Sequence, residues 1–175
     1  MSLQHTSSKR CLTSSGWLLH KGKLLLVKHK MLSIWLAPGG HVDENELPHH
    51  AAEREFLEET GVKVKAVSAA PILSSGEETE DLPMPFLCNL HWINRPGEKK
   101  ARQDGTICGQ HYVFAFFVEP EGELGKLDNS DDGIDEVRWF TKKEVQTLKE
   151  TSNTIRREAL YVFDHHPAAK RKGAT

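Results

Sequence analysis

Apolar and polar positions alternate along this chain in short blocks. Residues 17–20 and 24–27 are apolar runs on either side of Lys21-Gly22-Lys23, which predicts a hairpin of buried strands. Trp35-Leu36-Ala37 leads into Pro38-Gly39-Gly40, a turn at which the backbone can approach a ligand closely. From residue 47 to 60 the chain consists mostly of helix formers, including Ala51, Ala52, Glu53, Arg54, Glu55, Leu57, Glu58 and Glu59. Pro48 suits the first turn of that helix, and Gly61 suits the position just past its end.

Val62, Val64 and Val67 then suggest a strand, and residues 86–93 and 111–118 suggest two more. The polar stretch between the last two, residues 94–109, is predicted to be a long loop. Residues 135–140 form a further strand candidate and 142–149 a short helix. A last helix is expected over 153–163, with Leu160 and Phe163 on one face against the body. Mostly strands, one central helix and trailing helices predict an α+β or a layered α/β/α domain.

The 175 residues fit one domain, with a core at 13–149, a flexible lead-in at 1–12, and a C-terminal helix and tail at 150–175. With 25 acidic and 23 basic residues the net charge is -2, so nothing global draws the chain to nucleic acid or anionic membrane. Any affinity for phosphate must be local. No apolar run approaches the ~20 residues that span a bilayer, and residues 1–10 lack the apolar stretch of a signal peptide.

Cys11, Cys88 and Cys108 form no CxxC pair, which predicts reduced thiols in a cytoplasmic protein without a zinc knuckle. The ten histidines show no metal-ligand spacing backed by cysteines and are expected in surface or hydrogen-bonding roles. His41, beside the glycine turn, is the exception, as a candidate phosphate contact. Lys170-Arg171-Lys172 reads as a solvated terminus.

The chemistry concentrates in residues 40–62, GHVDENELPHHAAEREFLEETGV. Between Asp43 and Glu59 stand seven carboxylates and one basic residue, Arg54. On a helix Glu55, Glu58 and Glu59 share one surface, where like charges repel by a few tenths of a kcal/mol per solvated pair and more when buried. A divalent cation reverses that sign, and oxygen donors suit Mg²⁺ or Mn²⁺. On acidity alone, a solvated helix face is the plainer reading.

Spacing adds what acidity lacks. Gly40, five residues, Glu46, seven residues, Arg54-Glu55-Phe56, one residue, Glu58-Glu59, one residue, Gly61-Val62: this resembles the Nudix box at each of its nine specified positions over 23 residues. A looser similarity extends over about residues 13–149. The resemblance implies a mixed β-sheet between helices, with the box as a catalytic loop-helix-loop. It also implies metal-dependent hydrolysis of a nucleoside diphosphate linked to another group, a small-molecule substrate. A catalytically silent nucleotide-binding module of the same fold is the alternative, and a homodimer is common in the family.

Carried over residue by residue, Glu58 and Glu59 are the main metal ligands. Glu55 binds metal or orients the attacking water, and Arg54 fixes a neighbouring glutamate. Glu46 meets that arginine, and the Gly39 carbonyl completes the coordination. Glu136, before Val137-Arg138-Trp139, resembles a further metal-binding glutamate outside the box, with a plain surface carboxylate as the other reading.

Substrate identity lies outside the box. Trp17, Phe86, Trp92 and Tyr112 are candidate stacking platforms, though each also suits the core. Some ADP-ribose hydrolases carry a proline about 16 residues past the box, where this chain has Glu78. Lys99, Lys100 and Arg102 in the long loop could close over an anion.

Overall fold

The computed structural model describes residues 9–69, 76–95, 98, 107–128 and 131–170. Among these residues, eight strands and four helices follow in chain order: β1 (Arg10–His20), β2 (Lys23–His29), β3 (Ile34–Leu36), β4 (Gly39–His41), α1 (Pro48–Thr60), β5 (Val64–Val67), β6 (Leu87–Trp92), β7 (Gln110–Pro120), β8 (Ile134–Thr141), α2 (Lys142–Thr147), α3 (Asn153–His165) and α4 (Pro167–Lys170).

One mixed sheet holds these strands, in the order β3-β2-β1-β7-β5, with β4 beside β1, β6 beside β7 and β8 beside β2. Its axis is the parallel pair β1–β7, in register from Arg10 opposite Gln110 to Leu18 opposite Val118. All other pairings are antiparallel. Strands buried on both faces read as continuous apolar runs, as residues 17–19 and 114–118 do.

Alternation along those runs sorts side chains to two cores. Trp17, Leu19, Leu24, Leu26, Phe117 and Phe140 face α3, meeting Ala159 and Val162. Leu18, Leu25, Phe116 and Val118 face α1, meeting Ala52 and Phe56. Helices therefore cover both faces, and the expected α/β/α layering is found. Gly16 lets α1 lie close, because a Cβ there would stand 2.8 Å from the Phe56 ring.

α1 matches its predicted span to within one residue. Gly61, at φ 70°, donates its N–H to the Leu57 carbonyl and ends the helix. The first strand begins at Arg10, inside the expected lead-in, because parallel pairing with β7 continues to that residue. Gly39 and Gly40 were expected in a turn with Pro38, yet with His41 they pair antiparallel with Ser15, Ser14 and Thr13. Gly39 permits this, since a side chain there would run into the Ser14 carbonyl and the Ser15 backbone.

Near the C-terminus, α2 opens with a Thr141/Glu144 capping box and ends two residues early, and α3 runs two residues longer than predicted. The loop at 94–109 is closed at its base, where the Asn94 N–H donates to the Gly109 carbonyl at 3.1 Å. Lys99, Lys100, Arg102, Arg171 and Lys172 lie outside the described residues.

Candidate active site

α1 and β4 together assemble the acidic groups. Ala51, Ala52 and Phe56 bury one stripe of α1, which leaves Glu55 and Glu59 at its border, turned toward the glycine strand. Glu59 is only 7% exposed, and its Oε2 accepts the Gly39 N–H at 2.9 Å. Gly40 packs against the Glu55 carboxylate so closely that any Cβ would overlap it. The two glycines are thus needed for proximity: one receives Glu59 and the other makes room for Glu55.

Arg54 organises the outer side. Its Nε and Nη2 donate to the two Glu46 carboxylate oxygens, each at 2.9 Å. Nη1 donates to Glu55 at 2.9 Å and to half-exposed Glu58 at 3.2 Å. Nη2 also reaches the His41 carbonyl at 2.9 Å. All five guanidinium N–H groups are engaged, in a planar fork that only arginine supplies. These carboxylates hold Arg54 more firmly protonated than usual, Glu46 contributing most. Glu46 in turn lies below the usual carboxylate range, chiefly through its Arg54 bond.

Glu55 and Glu59 are pushed the other way. Burial raises Glu55, with Arg54 opposing. Burial pushes Glu59 up to about 8, the Gly39 N–H opposes this, and the charges of Glu55, Asp131 and Glu58 add to it. Crowded, desolvated carboxylates made only of oxygen donors fit a hard divalent cation, which would restore their ionised forms. Glu58, on the same surface, is exposed enough to turn from Arg54 toward such an ion.

Glu136 is not brought to this cluster. On β8, Val137 and Trp139 pack toward α1, so the pleat sends Glu136 and Arg138 to the opposite face. There Arg138 lies over the Trp35 and Phe140 rings, and Glu136 stands in register with Lys28. Asp131, in the turn before β8, is the acid outside the box whose charge reaches Glu59. The sequence reading passed it over, although Asp131-Asp132 directly before a strand was a visible cue.

The His41 ring lies 3.3 Å from the Cys108 sulfur, edge-on to His111 at 4.8 Å between centroids.

On the α3 face a cleft of about 420 Å³ is lined by Phe86, Leu87, Asn89, Arg157, Glu158 and Tyr161, among others. Phe86 is stacked on Phe117 at 4.4 Å and on Tyr161 at 5.7 Å. Asn89 donates to Glu158 at 3.2 Å, and burial pushes the Glu158 carboxyl up to about 7 against that bond. β1 links cleft to acids: Trp17 touches Phe86 at 6.2 Å, and Ser15, two residues earlier, is paired with Gly39.

Of the four proposed platforms, only Phe86 lines this cleft. Trp17 is core, Trp92 ends β6 half-buried, and exposed Tyr112 packs on Phe114. The α3 residues Glu158 and Tyr161 were missed, since a helix face becomes a cleft wall only once packed.

Comparison with known proteins bears on the family and the fold. The profile of the NUDIX domain matches residues 13–163. An 8-oxo-dGTP diphosphatase of Proteus vulgaris is 30% identical over 74 residues, 42% of this chain and 66% of the relative. A protein of the same name from Buchnera aphidicola is 31% identical over 80 residues, 45% of this chain and 64% of the relative. The chain therefore spans just under two thirds of these relatives' lengths.

Among solved structures, a NUDIX-family hydrolase from Clostridium perfringens superposes with a TM-score of 0.68 at 22% identity, over 89% of this chain and 97% of that one. A MutT protein from Methanosarcina mazei Go1 gives 0.59 at 14% identity, over 98% and 100%. These likenesses concern the fold. With the profile spanning the sheet, the box helix and most of α3, the chain belongs to the Nudix family.

Proposed function

We propose that this protein is a divalent-metal-dependent pyrophosphohydrolase. It cleaves a small nucleotide in which a nucleoside diphosphate is linked to another group. The observation that carries the reading is the packing of Glu55 and Glu59 against Gly39 and Gly40, braced by Arg54. Glu58, Glu59 and the Gly39 carbonyl would hold the ion, with Glu55 beside them and the charge of Asp131 nearby. Bound Mg²⁺ or Mn²⁺ supplies neutralisation of the diphosphate and an acidified water.

The remaining steps belong to the chain. Glu55, made more basic by burial, accepts the proton of the attacking water. The water oxygen bonds to phosphorus as the bridging P–O bond breaks, and the departing phosphate takes the electron pair. Arg54 keeps Glu55 in position throughout. Phe86 and Tyr161 stack the base in the α3 cleft, and Asn89 and Glu158 bond to its edge. An 8-oxo-purine nucleoside triphosphate is the leading substrate, by the names of the two relatives. Cys11 and Cys108, buried and not joined in a disulfide, suit a reducing cytoplasm. No described helix is long and apolar enough to cross a membrane. Whether the protein works as a homodimer is a question for light scattering.

A product assay tests the reading. The protein is incubated with Mg²⁺ and, separately, 8-oxo-dGTP, mixed nucleoside triphosphates, ADP-ribose, a dinucleoside polyphosphate and NADH, and products are identified by mass. Cleavage between phosphates of one class is expected, abolished by chelator and lowered by orders of magnitude in Glu58→Gln with the fold intact. No cleavage of any compound with Mg²⁺ or Mn²⁺, or near-wild-type turnover by Glu58→Gln, overturns it.

A further inference from the structure

The sequence places Cys11, His41 and Cys108 on separate segments, with nothing in their spacing to join them. The fold joins them. β1 carries Cys11, the adjacent β4 ends at His41, and Cys108 stands just before β7, the other neighbour of β1. The two sulfurs and a ring nitrogen of His41 all lie within 4.8 Å of one another, and His41 Nε2 is 3.3 Å from Cys108 Sγ.

Tetrahedral zinc, with Zn–S near 2.3 Å and Zn–N near 2.0–2.1 Å, requires S···N edges of about 3.5 Å and S···S edges of about 3.8 Å. The His41–Cys108 separation is close to such an S···N edge, and the other two separations, within 4.8 Å, exceed these edges by at most about 1 Å. They are also held by rigid surroundings. Cys108 is 1% exposed and Cys11 9%. Asn94 Nδ2 donates to the Cys108 carbonyl at 2.8 Å, and the Gly109 N–H donates to the Lys9 carbonyl at 2.9 Å. The His111 ring packs edge-on against His41 and limits its rotation.

We propose that Cys11, His41 and Cys108 form a second metal site, specific for a soft or borderline ion such as Zn²⁺, with the fourth position open to water. It differs in donor chemistry from the box. Thiolate and imidazole select zinc, whereas the glutamates select magnesium or manganese. Binding replaces the His41–Cys108 contact, releases the two thiol protons to solvent and oxidises nothing. The site has a structural link to the box, because the His41 carbonyl accepts from Arg54.

The full-length protein is kept reduced with a phosphine, supplied with excess Mg²⁺ to occupy the carboxylates, and titrated with Co²⁺. One equivalent of cobalt is expected to bring up sulfur-to-cobalt charge-transfer absorption and the strong visible bands of a tetrahedral ion. Added Zn²⁺ then displaces it. Cys11→Ser and Cys108→Ser each lower the charge-transfer signal and weaken Zn²⁺ binding by at least about 100-fold, whereas Cys88→Ser, at an exposed free thiol, keeps both. X-ray absorption of the wild-type zinc form reads two sulfurs and one imidazole without any variant. Absence of charge transfer at saturating Co²⁺, an all-oxygen zinc shell, or a signal that persists in the Cys11→Ser/Cys108→Ser double variant overturns the proposal.

Discussion

Replacing Arg54 with lysine keeps the charge and removes the fork. The guanidinium makes two bonds to Glu46, one each to Glu55 and the His41 carbonyl, and one to Glu58. Their contributions differ. Glu58 is 51% exposed and its bond is an i,i+4 pair, so its loss costs only about 0.3–0.5 kcal/mol. Glu46 and Glu55 are 16% and 17% exposed, and an ammonium at a single point can satisfy one of them at a time.

At least two of the four better-buried bonds are then lost, at about 1 kcal/mol each once water has partly replaced them. The expected destabilisation is about 2 kcal/mol, or roughly 4–8 °C in Tm for a chain of this size. Urea denaturation of wild type and Arg54→Lys, with thermal melts in parallel, measures it. Turnover at saturating Mg²⁺ should also fall, because Glu55 loses the contact that orients it. Arg54→Ala, lacking the charge as well, should lose more of both. Unchanged stability together with unchanged turnover in Arg54→Lys would refute the view that the fork organises the site.

Two further perturbations separate architecture from chemistry. Gly40→Ala meets the movable end of Glu55, whereas Gly39→Ala meets the backbone of β1. The first should depress turnover with a small change in Tm, and the second should cost about 1–3 kcal/mol of stability. Equal effects on both properties would contradict that division. For Glu158, burial holds the folded carboxyl at about 7, above its ordinary 4.5. Its contribution is therefore complete below about 4.5 and is lost as pH rises through about 7. Glu158→Gln stays neutral, so in urea melts it should match wild type at pH 4. At pH 8 it should gain on the order of 1 kcal/mol, a figure kept small because the group is partly solvated. An equal difference at both pH values would rule out a buried, titrating carboxyl.

The box helix could be read from the residues because its information is local. Pro48 and Gly61 bound α1, and the glutamate spacing defines one surface whatever packs behind it. The strands were legible for the same reason, as the apolar runs at 17–19, 24–27 and 114–118 must be buried on two faces. Asp131 was missed because its approach to Glu59 depends on where the turn before β8 comes to rest.

The sequence by itself therefore determined the layered fold, the box helix and an all-oxygen donor set. Those follow from periodicity, capping and spacing over a few turns. Tertiary structure alone decided which glycine meets which carboxylate, which face of β8 carries Glu136, and how α3 closes a cleft over Phe86. It also decided that Cys11, His41 and Cys108 converge. Strand pairing brings distant residues together through register, and the register of β1 against β4 and β7 is set by the whole buried sheet.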